Sequence, residues 1–456
     1  MRANGYLKNG CEQSVARAVV GLGLCVGLVS GAWGMDLQQA YEAALKNDST
    51  VRAARAGAAA SFERLPQARA QLHPNVSLSA GRNYNDLNSK ERNLLGRVSE
   101  TQTEYFSGNQ ALTVRQPLYR PYLMAQLRQA RAQVDDATAT LERDEQSLVV
   151  RVGEAYFEAL LTSEQLALVL AQKETYTIQL DAARKGFAAG TGTRTDVDEA
   201  QARLDITVAQ ELEARQNVEF TRRRIEVLTG NSDSVLARLD IGRFAPVAPV
   251  PNSLDLWIER AEQSSPELQS LRAQLEAARQ EIEKARAGHL PTLDAVAQWS
   301  RSSSDSVTSV NSRYENKTIG LQLAIPLYSG GSVSSAVRQA IALQERALEA
   351  LEATRRDLGV RVHREFRSMT EGVVRIGALQ QAVYSAEQAV LSNRKSFQAG
   401  SRTTLDVLNA EQQKTSAMRD LAQARYLYLV SRLRLQSLAG DERQAIVVQA
   451  NQALAP

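Results

Sequence analysis

The chain has 456 residues and a formal net charge of +3, with 43% hydrophobic but only 5% aromatic residues. Ala, Leu, Gln, Glu and Arg dominate at helical spacing, which speaks for long helices or coiled coils over compact aromatic-cored domains. Basic residues are interleaved with acidic ones, so a nucleic-acid partner is set aside.

The first element is an address. Arg2, Lys8 and Arg17 precede an apolar run from Ala18 to Val29, and Ala32-Trp33-Gly34 offers small residues at both cleavage-defining positions. Residues 1–34 therefore read as a signal peptide, with the exported chain starting near Met35. The apolar run is shorter than the roughly 20 residues a bilayer-spanning helix needs. Cys11 and Cys25 are the 2 cysteines of the chain. Both lie in this segment, so the exported chain has no thiol for a disulfide, a metal or a nucleophile. Leu24 stands before Cys25 where a lipidation site wants a small residue. Removing the segment takes Arg2, Lys8, Arg17 and Glu12 from 54 basic and 51 acidic residues and leaves the two signs nearly balanced. No later stretch has the apolar length of a membrane helix, so the exported protein is periplasmic, secreted or a β-barrel.

The remainder of the chain is a tandem duplication. Leu37, Ala44, Ala68, Pro74 and Val76 recur as Leu254, Ala261, Ala285, Pro291 and Leu293; Arg128, Val152, Tyr156 and Gly230 recur as Arg338, Val362, Phe366 and Gly440. The first repeat, 35–245, comprises a helix, a strand pair and a long helical hairpin. A Pro-rich extended linker, 246–252, leads to the second repeat, 253–440. The tail, 441–456, reads as poorly ordered.

Each repeat opens with a predicted helix of about 35 residues, Leu37 to Leu72 and Leu254 to Leu290, stopped by Pro74 and Pro291. Period-two alternation then predicts strands. Leu293, Ala295, Ala297 and Trp299 alternate with polar neighbours, as do Ile319, Leu321 and Leu323; Val76, Leu78, Leu112 and Val114 are the weaker counterparts. Polar loops are expected between the strands at Asn85 to Glu104 and Arg301 to Asn316. Both second strands are expected to end at Pro-Leu-Tyr, turning at Pro117 and Pro326. Roughly 70 helical residues come next in each repeat, about 105 Å at 1.5 Å per residue, before a return helix of about 40.

The two hairpin tips are near-copies, Phe187-Ala-Ala-Gly190-Thr-Gly-Thr193-Arg-Thr195-Asp196-Val197 and Phe397-Gln-Ala-Gly400-Ser-Arg402-Thr403-Thr-Leu-Asp406-Val407. Gly190 and Gly400 are placed to end one helix at positive φ, and Thr193 with Asp196, like Thr403 with Asp406, has capping-box spacing. An acid in a first helical turn is explained by capping alone, without any pore.

Catalysis finds little support. His73, His289 and His363 lack metal-ligand spacing, no phosphate loop or nucleophile elbow is present, and Arg222-Arg223-Arg224 reads as a solvated helix face. We therefore expect no catalytic residues, no metal and no cofactor. Four strands cannot close a barrel, since single-chain outer-membrane barrels start at eight, so closure calls for oligomers. Two copies give eight strands and three give twelve, and the residues alone do not choose.

The Ala287-Gly-His-Leu-Pro-Thr-Leu-Asp294 run, the second tip through Leu408, the Pro-Leu-Tyr strand ends and the duplication together resemble the TolC family of outer-membrane efflux and secretion channels. The resemblance implies a mainly α fold with β, a homotrimer in which each protomer gives four strands to a twelve-stranded outer-membrane barrel and its helices to a periplasmic tunnel tapering at the tips. It implies a periplasmic gate of Arg402 against Thr195, Asp196 and Phe397, with an acidic entrance ring at Asp406 and Asn409. Two positions depart from the pattern: Phe397 lacks the expected tyrosine hydroxyl, and Asn409 stands where a second ring aspartate belongs. The implied function is passive export from an inner-membrane pump and a periplasmic adaptor across outer-membrane lipid. The N-terminus and the Gly-His-Leu-Pro-Thr-Leu-Asp run look most like the branch serving type I protein secretion with an ABC exporter. Small-molecule efflux with a proton-driven pump is the alternative, and a periplasmic adaptor or a secreted coiled-coil protein ranks lower.

Overall fold

The computed structural model describes residues 34–92, 96–232, 235–306 and 309–455. The expected signal peptide, apart from Gly34, lies outside the described residues.

The helices expected over Leu37–Leu72 and Leu254–Leu290 are each broken. The first is α1 (Leu37–Asn47), α2 (Ser49–Phe62) and α3 (Arg64–Ala70). At the first break Asp48 is extended, φ −61° and ψ 118°, and caps the next helix by accepting from the Val51 N–H at 2.9 Å. Arg151, further along the chain, adds an ion pair at 3.1 Å. Burial works against this carboxylate, yet the Val51 N–H and the Arg151 guanidinium outweigh it and hold its pKa below the ordinary value. The repeat breaks at the equivalent Ser265, because Pro266 bars the helical conformation of the residue before it. That divides α6 (Leu254–Ser264) from α7 (Pro266–Arg286). The apolar period runs through both breaks and masks them.

The strands are β1 (Asn75–Arg92), β2 (Val98–Tyr119), β3 (Thr292–Ser306) and β4 (Ser309–Ala324), one antiparallel sheet in the order β1-β2-β3-β4. They extend through most of the two stretches expected to be polar loops. Polar side chains satisfy one another across the ladder there: Asn88 donates to Glu100 at 3.0 Å, Gln102 to Asp86 at 3.0 Å, and Lys90 pairs with Glu100 at 3.0 Å. A strand needs no apolar alternation where both faces are wet. Pro117 also lies within β2, correcting its place as a strand-end turn; having no N–H for the ladder, it sits beside a register shift between Pro117 and Tyr119. Pro74 and Pro291 directly precede β1 and β3, and Pro326 comes after the end of β4.

From the sheet run α4 (Pro121–Ala188, 68 residues) and α8 (Ser332–Gln398, 67 residues), each about 100 Å long at 1.5 Å per residue. The return helices are α5 (Arg194–Thr229) and α9 (Thr404–Leu438). Among the described residues no helix is long and apolar enough to cross a membrane.

The main core gathers around the middle of these helices. Tyr156 and Phe157 of α4 meet Tyr426, Tyr428 and Leu429 of α9 with Leu37, Ala40 and Ala44 of α1. The Tyr156 hydroxyl, fully buried, lies 2.9 Å from the carbonyls of both Met35 and Ala237, which share its single proton. The Pro-rich linker is docked as well: the Tyr428 hydroxyl accepts from the Val247 N–H at 2.9 Å and donates to its carbonyl at 2.8 Å. The tail is ordered, contrary to expectation. Helix α10 (Arg443–Asn451) buries Ile446, Val447 and Ala450, and Leu454 lies bridged to Leu239. Four buried apolar side chains in so short a segment suffice to dock it, a signal its polar flanks hide.

Candidate functional site at the helix-hairpin tips

Each tip is built by the same local chemistry. Helix α4 ends with Gly190 at φ +74°, the Gly190 N–H donating to the Phe187 carbonyl at 3.0 Å and the Thr191 N–H to Gly186 at 2.9 Å. Helix α8 ends identically, with Gly400 at φ +74°, Gly400 N–H to Phe397 at 2.9 Å and Ser401 N–H to Ser396 at 3.0 Å. This doubly bonded stop needs a residue free to take positive φ, which is why both positions are glycine.

Beyond these stops both capping boxes are formed. The Asp196 carboxylate accepts from the Thr193 N–H at 2.9 Å and its hydroxyl at 2.5 Å. Asp406 accepts from the Thr403 N–H and hydroxyl, both at 2.9 Å. At Asp196 the Thr193 hydroxyl and N–H outweigh partial burial, with help from the Thr404 hydroxyl, and hold the carboxyl below the ordinary range. At Asp406 the Thr403 N–H and hydroxyl do the same, with a smaller contribution from Arg402.

Arg402 pairs with Asp406 of its own turn, Nη1 to Oδ1 at 3.3 Å, and not with Thr195 or Asp196 of the same chain. Thr195 is exposed, and Phe397 is half exposed at 46%, lending its carbonyl to the turn. Besides the contact of the Thr404 hydroxyl with Asp196, the two tips are joined by Arg203 of α5. Its guanidinium donates through Nη2 to Asn409 Oδ1 at 2.8 Å and through Nη1 to Gln412 Oε1, both on α9. Asn409 is thus a hydrogen-bond acceptor for the other hairpin, a role its reading as a depleted ring position does not suggest. Arg203 is not legible as a site residue in the sequence, although its partners lie 206 and 209 positions away, close to the repeat spacing of the two halves. Contacts at that separation mark equivalent helices lying side by side.

Above the tips two buried glutamates hold each hairpin together. Glu211 of α5 takes Lys173 of α4 at 2.6 Å and Arg215 at 2.7 Å, and these cations hold its carboxyl below the ordinary range. Glu411 of α9 takes Arg394 of α8. Among the described residues no group of histidine, cysteine and carboxylate side chains is arranged to hold a metal.

A hairpin pair with acidic, capped ends, standing about 100 Å from a four-stranded sheet with one apolar face, is a conduit's geometry. Known proteins match it in sequence and fold. The proteases secretion protein PrtF of Dickeya chrysanthemi is 34% identical over 92% of this chain and 91% of its own length. The alkaline protease secretion protein AprF of Pseudomonas aeruginosa is 35% identical over 92% of this chain and 88% of its own. The Campylobacter jejuni CmeC outer membrane channel, 17% identical, superposes with a TM-score of 0.75 over 92% of this chain and 90% of its own. Residues 40–231 and 257–441 match the outer membrane efflux protein family almost end to end in both repeats, and the chain belongs to that family, an outer-membrane channel reaching into the periplasm.

Proposed function

We propose that this chain is the outer-membrane exit duct of a type I secretion system and that its cargo is protein. The carrying observation is identity above one third, over nine-tenths of the chain, to two protease secretion proteins. Three copies contribute twelve strands to one barrel, and the long helices enclose a periplasmic tunnel that narrows at the tips. An inner-membrane ABC exporter supplies the energy and a periplasmic adaptor links it to the tips; the duct itself conducts passively and performs no catalysis.

The gate lies at the tips. Arg402, Thr195, Asp196 and Phe397 border the entrance, and Asp406 supplies its acidic ring. The support for this reading is the capped carboxylate at each tip together with the Arg203 tie between them. Because Arg402 is bound within its own turn, its gating partners belong to a neighbouring protomer or are water. Exposed polar contacts contribute on the order of 1 kcal/mol or less each, so docking of an adaptor is sufficient to bias closed against open.

The test is reconstitution in a Gram-negative strain lacking such ducts. Co-expression with an ABC exporter, an adaptor and its protease substrate should restore protease in the medium. Restored drug resistance with a proton-driven pump, and no protease export, would reverse the ranking in favour of efflux, the reading that the family's description supports. Arg402→Ser should raise single-channel conductance in planar bilayers; parental conductance from intact trimers removes Arg402 from the gate.

A further inference from the structure

The sheet carries a second charged feature far from the tips. Val76, Leu78, Leu112, Val114, Ala295, Ala297, Trp299, Ile319, Leu321 and Leu323 all fall on one face by register, the face that meets lipid. One ladder row beyond Leu78, Leu112 and Trp299, the same face changes character. Ala80, Gln110, Arg301 and Glu315 share a row, and the next is Arg82, Gly108, Ser303 and Arg313.

That last row has a guanidinium at each end and two small residues between them. With strands about 4.8 Å apart, the two arginines stand on strands roughly 14 Å apart. The floor is close-set, since a Cβ on Gly108 would lie 3.0 Å from Ser303 Oγ. Arg301 bounds the dish on the membrane side and Phe106 on the outer side, and the depression holds about 600 Å³. Arg82 lies over the Phe106 ring at 4.9 Å, and Tyr84 packs on that ring at 5.5 Å. Among the described residues no carboxylate forms an ion pair with Arg82, Arg301 or Arg313. Glu315, the cross-strand partner of Arg301, is held by Trp299 at 3.0 Å and Lys317 at 3.4 Å, and Arg301 adds a smaller attraction without forming an ion pair. Asp86 and Glu104 stand opposite each other two rows further out.

The level of the dish in the bilayer is set by the strand. Within β4, from Leu323 to Lys317 in the Trp299 row, six residues at about 3.3 Å and a tilt near 45° climb roughly 14 Å, and Ile325 and Leu327 continue the exposed apolar side chains beyond the strand's end. The apolar face thus ends at Trp299, and the arginines lie beyond it, at the headgroup level, among the aromatic residues Trp299, Phe106 and Tyr84 that favour that layer. Guanidinium forks match phosphate oxygens bidentately, and the row's Ser303 and the adjoining Gln110 offer hydrogen bonds to sugar hydroxyls.

We propose that Arg82, Arg301 and Arg313 form a site for the phosphorylated sugar headgroup of an outer-leaflet glycolipid. The occupant is a membrane lipid carrying phosphate, held from the lipid face and independent of the cargo path.

Purified trimers in detergent, incubated with bis-phosphorylated lipid A or its dephosphorylated form and read by native mass spectrometry, test this. The parent should retain the phosphorylated lipid at least tenfold better than the dephosphorylated one. The triple variant Arg82→Gln, Arg301→Gln, Arg313→Gln should lose that preference, while Arg115→Gln, on the opposite face of β2, should keep it. Equal retention of both lipids by the parent, or undiminished preference in the triple variant, overturns the site. Displacement of the lipid by millimolar inorganic phosphate alone would assign it to a free anion and overturn the headgroup assignment. If the triple variant yields no heat-resistant trimer, Arg82→Gln and Arg313→Gln singly should each reduce retention, and the parent's selectivity decides the case without any variant.

Discussion

Replacing Arg203 by alanine removes the side chain that joins α5 to α9 at the tips through both Asn409 and Gln412. Both bonds are exposed, so each is set at about 0.5 kcal/mol, the middle of the range for surface contacts. A protomer loses about 1 kcal/mol and a trimer about 3 kcal/mol, which moves a concerted closed-to-open equilibrium by roughly 100-fold, at about 1.4 kcal/mol per tenfold. In planar bilayers the expected result is a higher mean conductance, with the trimer's resistance to heat unchanged because the main core lies far from the tip. Arg203→Lys should give an intermediate effect, since a single ammonium does not reproduce a two-pronged fork. If Arg203→Ala trimers conduct like the parent while Arg402→Ser trimers open, the closed state is held between protomers and the Arg203 tie is irrelevant to it.

Other expectations concern single groups. Asp406→Ala should weaken block of the channel by multivalent cations. Because hydrogen bonding from Thr403 lowers the Asp406 pKa, its charge and capping contacts persist above the ordinary carboxylate value near 3.9 and are lost only as pH falls through the lowered one; block at about pH 4.5 should therefore equal block at pH 7. Gly400→Ala meets no neighbour within 4 Å and should cost only the strain of positive φ, about 1 kcal/mol, whereas Gly440→Ala adds a Cβ 2.8 Å from the Ser264 carbonyl oxygen and should lower the melting temperature markedly more. Asp441 is shifted the other way: burial raises its pKa, and Arg260, 2.5 Å away, offsets this only in part. The cost of its ionised form is full above the raised value and falls away as pH drops from there to the unfolded-chain value of about 3.9, so Asp441→Asn should stabilise the protein at pH 8 and lose that advantage as pH approaches about 4 by thermal melting. A pH-independent difference would mean that Asp441 is held by contacts other than its charge.

Local signals in the sequence carry most of this fold. Gly190 and Gly400 announce positive φ, the Thr-x-x-Asp pairs announce caps, and both are formed at the predicted residues. Period three-and-four patterns mark the long helices almost to their ends. The breaks at Asp48 and Ser265 are hidden because a kink between two helices of the same phase leaves the apolar stripe intact. The full length of the strands is hidden because alternation is visible only where one face is apolar, and beyond the lipid band it is not. Arg203 is hidden for a different reason: a lone arginine in a helix rich in Arg, Gln and Glu has no distinguishing neighbours in sequence, and its meaning appears only when the other repeat lies beside it.

The duplication diverges most where its two copies have different neighbours. Between β2 and α4 the chain passes through Arg120, whose Nε donates to Asp294 Oδ1 of β3 at 2.8 Å while Nη2 reaches Oδ2, a two-pronged pair with Asp294 buried. In the other repeat the residue after Pro-Leu-Tyr is Ser329, followed by Gly330 and Gly331 at φ +60° and +79°, and the counterpart of Asp294 is Ser77. The sheet order explains the difference. β2 and β3 adjoin inside one chain, so a buried ion pair there is assembled as the protomer folds, with both partners desolvated together. β4 and β1 are the outer strands, and their junction closes only against other copies, so a charge pair there would bear the cost of being stripped of water at assembly after each charge had been solvated on the free edge. Serine and glycine at that junction avoid the cost and leave the exposed joint free to adjust as the barrel closes. At the tips the repeat offset places Gly192 opposite Arg402 and Thr404 opposite Arg194, so each tip carries one arginine but at a different place in its turn: Arg194 pairs with Asp198 inside the helix and Arg402 with the capping Asp406.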